Sequence, residues 1–266
     1  MAKTLKSQPP SPPASLLEDL VLNNYLFRGL TVEWLADYFP PDSLKLETLF
    51  SNRPIYTAFL PEQSLDCLYL TLHEGLVITR STPLDRIIAI AYKGSAFGIR
   101  SLNFSYGLAS RAFPCLVEAY KTTQVIKLPK ANLVRLYEAS ELFREHYRCL
   151  FELNQKFEYH LLNCSTYPPQ AVAALLRALI YQERELGNQP NCQGHYCFDL
   201  PIDVIARACQ LNQRTVEQVL KGMQQIGLLN SQKEDGDDLL RIVDPEGLKE
   251  VYSATREKVS WWPLRS

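Results

Sequence analysis

The chain has 266 residues, a hydrophobic fraction of 46% and a formal net charge of −1 at pH 7. This length allows two domains with a sizeable core. The near-neutral charge excludes a general attraction to nucleic acid, so DNA binding would need a local basic face. No apolar run is long enough to span a membrane, and residues 1–15 lack the apolar segment of a signal peptide, so a cytoplasmic protein without a membrane partner is expected. Seven cysteines, an odd number in scattered positions, favour reduced thiols over a disulfide framework.

The N-terminal region combines an unstructured arm with short helices. Residues 1–15 contain four prolines and three serines and almost nothing to bury, which predicts a disordered arm. From Leu16 to about Phe39, apolar residues recur at spacings of three and four, which predicts two short helices.

Between about Asp42 and Leu128 the pattern changes to short apolar or alternating segments separated by turn-forming residues. These segments read YTAFL, CLYLTL, GLVITR, RIIAIAY, CLVEAY and QVIKL. Many short strands at this spacing predict a β-sandwich or jelly roll. We assign the N-terminal helices and this β-roll to one domain, residues 16–130.

A long helix follows in residues 131–167, with a narrow stripe at alternating spacings of four and three. The stripe comprises Phe143, Tyr147, Leu150, Asn154, Phe157, Leu161 and Cys164. Such a stripe is typical of a helix that pairs with a second helix, and it predicts a homodimer interface. Asn154 would then face its own symmetry mate and fix a parallel register. The alternative is an amphipathic helix packed on its own β-domain.

Pro168 and Pro169 end this helix and begin a C-terminal domain, residues 168–266. After a helix and a loop at residues 187–197, the pattern predicts an apolar helix from Pro201 to Cys209, a short link, and a second helix from Arg214 to Ile226. Gly227 ends that helix, and the segments GLLNSQ and LLRIVD predict two strands around a polar hairpin. This is the pattern of a winged helix-turn-helix in an α+β chain.

Three segments carry a resemblance to a known family. They are LYLTLHEGLVITR (68–80) with its strand-ending Gly75, KGSAFGIRSL (93–102), and IARACQLNQRTVEQVLKGMQQIGLL (205–229). With this order of domains, residues 40–250 resemble the Crp/Fnr superfamily of bacterial regulators. The resemblance implies a cyclic-nucleotide-binding-like β-roll that senses an effector and a dimerisation helix that passes the signal to DNA-binding heads. The FGIRSL turn is similar to that of the cyanobacterial nitrogen-control regulators.

The resemblance also bears on the effector. Family members that bind cyclic AMP place a glutamate after the turn glycine, but here Ile99 follows Gly98, and Arg111 is followed by Ala112. Cyclic AMP is therefore not expected. A 2-oxoglutarate-responsive DNA-binding regulator is one alternative, although the arginine that such proteins carry on the dimer helix falls at Leu153.

A larger anion fits the remaining residues better. Arginines near the turn are interleaved with Phe104, Tyr106 and Phe113, and they could form bidentate hydrogen bonds with phosphates or stack on a purine. Asp85 could accept a hydrogen bond from a guanine edge. Some Crp-like proteins, including a cyanobacterial branch, are cyclic di-GMP receptors, and this effector is expected first. The expected effector site comprises Gly98, Ile99, Arg100, Ser101, Arg111, Arg53, Arg80, Arg86 and Asp85. The alternative is that these arginines are simply solvated.

In the family, the second helix of the motif reads DNA in the major groove. The matching readers of base edges are Gln213, Arg214 and Gln218, and Thr215 and Lys221 could contact phosphates. Electrostatics argue against strong binding, because residues 168–266 contain eleven Lys or Arg against thirteen Asp or Glu.

The acidic wing KEDGDD leaves a second function open. The chain could be an adaptor that does not bind DNA and docks on another Crp-family transcription regulator, using the wing and the Trp261–Trp262 tail. The tail is otherwise expected to be an apolar anchor.

Enzymatic motifs are absent from the sequence. GxxxxGK[ST], GxSxG and HExxH do not occur, and the four histidines lie in separate elements, so neither an enzyme nor a resident cofactor is expected. Cys192, His195 and Cys197 share one loop, but without a second ligand pair they are a weak zinc signal, and no metal is expected.

Overall fold

The computed structural model describes residues 13–40, 43–58, 65–72, 75–82, 85–99, 102, 115–162, 166–234, 237–254 and 259–263. The chain divides into two compact units. The first contains residues 1–77, 91–113 and 118–151, and the second contains residues 78–90, 114–117 and 152–266.

The first unit begins with two short helices, as predicted. Helix α1 spans Pro13–Asn23 and α2 spans Val32–Ala36, with a 3₁₀ turn at Tyr25–Phe27 between them. The α1 helix therefore begins inside the segment predicted to be a disordered arm, of which residues 1–12 lie outside the described residues. The Asn24 side chain fixes the turn, because its Oδ1 accepts from the Leu26 amide at 3.0 Å and its Nδ2 donates to the Gly94 carbonyl at 3.0 Å.

The described residues contain eight strands in two sheets before the long helices. Six of them lie where the alternating segments predicted strands, whereas the strands at residues 45–49 and 96–97 were not predicted. The strands are β1 Lys45–Leu49, β2 Arg53–Ala58, β3 Cys67–Thr71, β4 Val77–Ser81, β5 Arg86–Ala91, β6 Ala96–Phe97, β7 Cys115–Ala119 and β8 Thr123–Pro129. Their orders are β1-β8-β3-β6 and β2-β7-β4-β5. In the first sheet β8 lies antiparallel between β1 and β3, so that Ile126 pairs with both Leu46 and Leu70. Leu70 and Ile126 are fully buried, which places the core of this unit on one face of that sheet.

The long helical segment is broken at Ser140. Helix α3 spans Lys130–Ala139 and α4 spans Glu141–Leu162. Ser140 separates them because its backbone is extended and its Oγ accepts from the Phe143 amide at 3.1 Å, as an N-cap of α4 does.

The second unit contains the helix-turn-helix and wing that the sequence predicts. Besides residues 78–90 of β4 and β5, 114–117 of β7 and the end of α4 from residue 152, its elements are α5 Pro168–Glu185, β9 Tyr196–Asp199, α6 Ile202–Cys209, α7 Gln213–Gln225, β10 Leu229–Glu234, β11 Asp237–Ile242 and α8 Pro245–Ser253. The three strands form an antiparallel sheet in the order β10-β11-β9. Strand β9 and helix α8 were not predicted.

Helix α8 begins at a proline after Asp244, whose Oδ1 accepts from the Gly247 amide at 2.9 Å. None of the helices in the described ranges is both long and apolar enough to cross a bilayer.

Candidate functional sites: the sensor turn and the helix-turn-helix

The predicted effector turn follows strand β6 directly. Gly98 has φ +87°, a left-handed conformation that glycine adopts without steric cost. Before it, the Phe97 ring stacks on Tyr69 with centroids 4.9 Å apart. After it, the Ile99 side chain is buried, with 1% of its surface exposed. The side chain of Ile99 therefore belongs to the core, and its backbone is the polar part of the turn.

That backbone is bound to helix α4. The Tyr147 hydroxyl donates to the Ile99 carbonyl at 3.2 Å, and the Tyr147 side chain is fully buried. Its ring also meets Tyr137 edge to face, with centroids 5.6 Å apart. A shift of the turn would therefore change a hydrogen bond to α4 inside the first unit. The sequence pattern places Tyr147 in the predicted dimer stripe and gives no signal for this contact, because Ile99 lies 48 positions away.

The other residues of the expected effector site lie in several places. Arg100, Ser101 and Arg111 fall outside the described residues, so their roles stay predictions. Arg53 is exposed at the start of β2, where its guanidinium lies 5.4 Å from the centroid of the Phe50 ring.

Two residues of the expected site meet on the β4–β5 hairpin. Arg80 forms an ion pair with Asp85, which has φ +47° at the turn. The Asp85 side chain is 72% exposed and that of Arg80 is 23% exposed. The carboxylate predicted to accept from a guanine edge therefore has a guanidinium partner within the hairpin, and it remains open to solvent.

Arg86, on the same hairpin, is instead directed to the helix-turn-helix. The residue is only 6% exposed; its Nε donates to the Ala208 carbonyl at 3.1 Å, and a terminal nitrogen lies 3.5 Å from Gln210 Oε1. Ala208 lies in the last turn of α6, and Gln210 ends that helix in the left-handed conformation, with φ +54°. Carbonyls at a helix C-terminus carry partial negative charge, so a buried guanidinium is a suitable partner there. Arg86 thus fastens the β4–β5 hairpin to the end of α6.

The second helix of the motif presents its predicted readers to solvent. Asn212 begins α7, because its Oδ1 accepts from the Thr215 amide at 2.8 Å. One face of α7 is buried through Val216, Val219 and Met223. The predicted DNA-binding residues Gln213, Arg214, Gln218 and Lys221 are exposed, and Thr215 is half-buried.

Three of these side chains share one face of the helix. Arg214, Gln218 and Lys221 follow at spacings of four and three, so they lie in one row along α7. Glu217 is also exposed, which places one carboxylate on the same helix. This surface can donate and accept hydrogen bonds at base edges and carries two cations for phosphates.

The wing is a regular hairpin. Strands β10 and β11 pair through Lys233 with Asp238 and Glu234 with Asp237, as the polar segment predicted. The side chains of residues 232–238 lie outside the described residues, so the acidic character of the wing rests on its sequence alone.

The apolar stripe of α4 is buried by its own chain. Relative exposure is 0% for Phe143 and Tyr147, 4% for Leu150, 6% for Phe157 and 0% for Leu161, whereas Asn154 is half-buried and Cys164 lies outside the described residues. These five side chains are packed mainly against other parts of the same chain. Their role in a homodimer interface stays a prediction, and Leu142 at 37% and Tyr159 at 69% exposure are large side chains of α4 that remain open to solvent.

Two histidines of α4 are held by backbone carbonyls. His146 Nδ1 lies 3.3 Å from the Leu26 carbonyl oxygen, and His160 Nε2 lies 3.2 Å from that of Ala174. Burial lowers the pKa of both rings below the ordinary value of 6.5, and the positive charge of Arg177 lowers that of His160 further. Both imidazoles are therefore neutral at pH 7.

The loop that gave a weak zinc signal is organised by an amide. Asn191 Oδ1 accepts from the amides of Gln193 and His195, at 3.0 and 2.9 Å. Across the ranges that the structure describes, no group of three His, Cys, Asp or Glu side chains is arranged to hold a metal ion.

The tryptophan tail lies on the second helix of the motif. A Cβ added to Gly222 of α7 would be 2.4 Å from a ring carbon of Trp261, so this ring packs directly on the glycine backbone. The sequence interpretation of the tail as an apolar anchor agrees with this position.

Comparison with known proteins gives the fold. No family model matches the sequence, and no curated protein matches it. Among solved structures, FixK2 from Bradyrhizobium japonicum is similar with a TM-score of 0.57 at 14% identity, covering 80% of this chain and 98% of that chain. A CooA mutant from Carboxydothermus hydrogenoformans has a TM-score of 0.53 at 16% identity and covers 80% and 89%. A transcriptional regulator of the Crp/Fnr family from Eubacterium rectale has a TM-score of 0.50 at 15% identity and covers 86% and 98%.

The chain therefore has the Crp/Fnr fold, with an N-terminal sandwich of antiparallel sheets and C-terminal helices. The predicted fold class, α+β with a β-roll before a winged helix-turn-helix, is confirmed.

Proposed function

We propose that this protein is a homodimeric transcriptional regulator that binds DNA through α7 and senses a small anionic effector near the Gly98 turn. The observation that carries the proposal is the exposed row Arg214, Gln218 and Lys221 on a helix whose other face is buried in a helix-turn-helix. A helix of this kind fits the major groove, where arginine pairs with guanine and glutamine with adenine.

The fold supplies two contacts by which a sensor could act. Inside the first unit, the Ile99 carbonyl at the turn accepts from Tyr147 of α4. Inside the second unit, Arg86 of the β4–β5 hairpin holds the end of α6. An effector that moved the turn or the hairpin would change a defined hydrogen bond to a helix in each unit.

The homodimer is supported by the resemblance to Crp/Fnr regulators and by the geometry of the motif. One chain offers a single helix to the groove, and two-fold related copies can read two half-sites about one helical turn of DNA apart. Sedimentation of the purified chain tests this, and a monomer at all concentrations would contradict it.

Cyclic di-GMP is the effector that we propose first. The missing acid at Ile99 argues against cyclic AMP, and the arginines of the segment around Gly98 suit a ligand with two phosphates and two purines. The proposed contacts are Gly98, Ile99, Arg100, Ser101, Arg111, Arg53, Arg80, Arg86 and Asp85. To contact the ligand, Arg80 and Asp85 would have to break their ion pair, which costs little free energy because exposed ion pairs contribute little to stability. Calorimetric titration with cyclic di-GMP, cyclic AMP and 2-oxoglutarate separates the candidates, and heat from 2-oxoglutarate alone would move the assignment to that ligand.

DNA binding is tested with a labelled duplex of the gene's own upstream region, by fluorescence anisotropy at several salt concentrations. We expect Lys221→Gln to weaken binding to all duplexes and to reduce the magnitude of the salt slope by about one, because one phosphate contact is lost. Arg214→Gln should cost about 1–3 kcal/mol on the preferred duplex and less on others. Lys249→Gln, an exposed lysine on α8, is the matched control.

A second candidate function is an adaptor that docks on another Crp-family transcription regulator. The excess of thirteen acidic over eleven basic residues in 168–266, together with the exposed Glu217, favours it over DNA binding. Failure of the wild-type chain to bind any duplex even at low salt, with and without cyclic di-GMP, would select the adaptor.

A further inference from the structure

A cavity of about 330 Å³ lies inside the second unit, between the C-terminal half of α4, helix α5 and helix α8. Helix α4 contributes Lys156, Phe157 and His160, α5 contributes Arg177 and Tyr181, and α8 contributes Tyr252. The volume lies within the usual range of small-molecule sites. None of these residues belongs to the sensor turn or to the DNA-binding row.

Rings wall this cavity. Tyr181 is 43% exposed and Tyr252 is 38% exposed, whereas Phe157 is buried. The Arg177 guanidinium lies over the Tyr252 ring, 4.9 Å from its centroid, and His160 lies 5.8 Å from the same ring. Two half-open tyrosine rings and a guanidinium plane are surfaces on which a flat ring can stack.

The charge of the cavity is positive. Lys156 and Arg177 are cations, and no Asp or Glu belongs to the lining that the structure describes. Arg177 is held by its contact with Tyr252, so its fork is oriented before a ligand arrives.

His160 adds a polar group of a different kind. Because a carbonyl oxygen only accepts, Nε2 carries the proton that is donated to Ala174 at 3.2 Å, and Nδ1 of the neutral ring is an acceptor. The cavity therefore offers two cations and aromatic walls, with the His160 ring held in place beside them.

A second cavity lies beside the first. It has a volume of about 190 Å³, shares Arg177 and Tyr181 with it, and is bordered by Arg184 and Lys249. The Arg184 guanidinium lies 3.6 Å from a carboxylate oxygen of Glu246, which offsets one charge at the far end. Within the described lining, no acidic residue borders the Lys156–Arg177 end, whereas Glu246 borders the far end beside Arg184 and Lys249.

We propose that this cavity is a binding site for a small planar aromatic anion, with its ring against Tyr181 and Tyr252 and its carboxylate or phosphate at Lys156 and Arg177. The site lies in the winged-helix unit and is independent of the effector proposed for the sensor. Because the ligand would touch α4, α5 and α8 together, its binding would hold the end of the long helix against the DNA-binding elements.

The test uses the full-length protein and two probes with the same ring, 2-naphthoate and 2-naphthyl phosphate, in calorimetry and saturation-transfer NMR. We expect saturable binding of at least one probe at one site per chain. The affinities of the two probes show whether the site prefers a carboxylate or a phosphate, because the probe that binds more tightly carries the preferred acid group. The uncharged 2-naphthylmethanol and the non-aromatic cyclohexanecarboxylate should both bind at least tenfold more weakly than 2-naphthoate.

Variants locate the site. Lys156→Gln and Arg177→Gln should each weaken binding by roughly ten- to a hundredfold, the effect of losing one charge-assisted contact. Lys156 is exposed, so the first variant tests the site even if the second fails to fold. Arg135→Gln is the matched control, because Arg135 makes a similar contact with Tyr38, at 5.5 Å, in the first unit.

Three results would overturn the proposal. These are no saturable binding of either probe to the folded chain, equal affinity for the uncharged analogue, or an affinity that Lys156→Gln leaves unchanged. None of them bears on cyclic di-GMP, whose titration is measured separately.

Discussion

Arg86 makes the most informative single contact in the second unit, and its replacement by methionine tests how strongly the β4–β5 hairpin holds the helix-turn-helix. Methionine keeps most of the apolar stem but removes the donor that the Ala208 carbonyl accepts at 3.1 Å. A hydrogen bond from a charged group contributes about 1.5–3 kcal/mol. Part of this is offset because the variant no longer buries a charge. We therefore expect a loss of about 2 kcal/mol in the free energy of unfolding of this unit.

The assay is urea unfolding followed by tryptophan fluorescence in a Trp34→Phe background. Of the three tryptophans, Trp261 and Trp262 then remain, and both lie in the second unit. With a slope of about 2 kcal/mol per molar urea, the midpoint should fall by about 1 M.

Arg80→Met is the matched control, because Arg80 lies on the same hairpin and this substitution also removes a guanidinium group. Arg80 pairs with Asp85, which is 72% exposed, and exposed ion pairs contribute about 0–1 kcal/mol. The control should shift the midpoint by less than half as much as Arg86→Met. Equal shifts for the two variants, or no shift for Arg86→Met, would refute the assignment of Arg86 as the fastening residue.

Further predictions concern the tail, the histidines and the sensor turn. Gly222→Ala should destabilise the second unit by about 1–3 kcal/mol in urea unfolding, because the new Cβ meets the Trp261 ring. In a Trp261→Ala background the same substitution should stabilise the unit by up to about 1 kcal/mol, because alanine has the higher helix propensity. An effect of the same sign in both backgrounds would contradict the packing of Trp261 on Gly222. Burial lowers the pKa of His146 and His160 in the folded state, so their contribution to stability should be constant above their ordinary pKa of 6.5 and should be lost progressively as the pH falls below it. In thermal melts, a variant with both histidines replaced by glutamine should lose this part of the pH dependence. Tyr147→Phe should cost about 1–2 kcal/mol in thermal unfolding of the first unit because it leaves the carbonyl of the glycine turn without this donor, and an unchanged melting temperature would count against the contact.

The sequence predicts the helix-turn-helix well because local signals agree there. The apolar spacing of α6 and α7, the N-cap Asn212 and the final Gly227 all indicate the same element boundaries. Strands β1, β6 and β9 have weaker local signals: β6 has only two residues, and β1 alternates poorly because only Leu49 in it is buried. Their formation depends on partners distant in sequence, such as Ile126 for β1.

The stripe on α4 shows where periodicity stops being informative. Side chains at spacings of three and four must be buried on one face, but the same spacing results whether the covering surface belongs to the same chain or to a second one. Phe143 is covered by Phe27, with ring centroids 5.8 Å apart, and Tyr147 contacts the carbonyl of Ile99 in the Gly98 turn. Arg86 was missed as a structural residue for a related reason, since its partner Ala208 is 122 positions away.

The two contacts that could transmit a signal differ in the strength of coupling that they permit. A neutral hydrogen bond such as that from Tyr147 to the Ile99 carbonyl contributes about 1 kcal/mol, so an effector that breaks it can change an equilibrium by only about fivefold. The contact of Arg86 with α6 is charge-assisted and buried and contributes about 2–3 kcal/mol. Its loss can therefore change an equilibrium by roughly thirty- to a hundred-and-fifty-fold. A ligand that competes for Arg86 would therefore loosen the end of α6 far more than one that only shifts the glycine turn. On this reasoning, the contact of the β4–β5 hairpin with α6 permits the stronger coupling to a bound anion, and the contact of the Gly98 turn with α4 permits the weaker one.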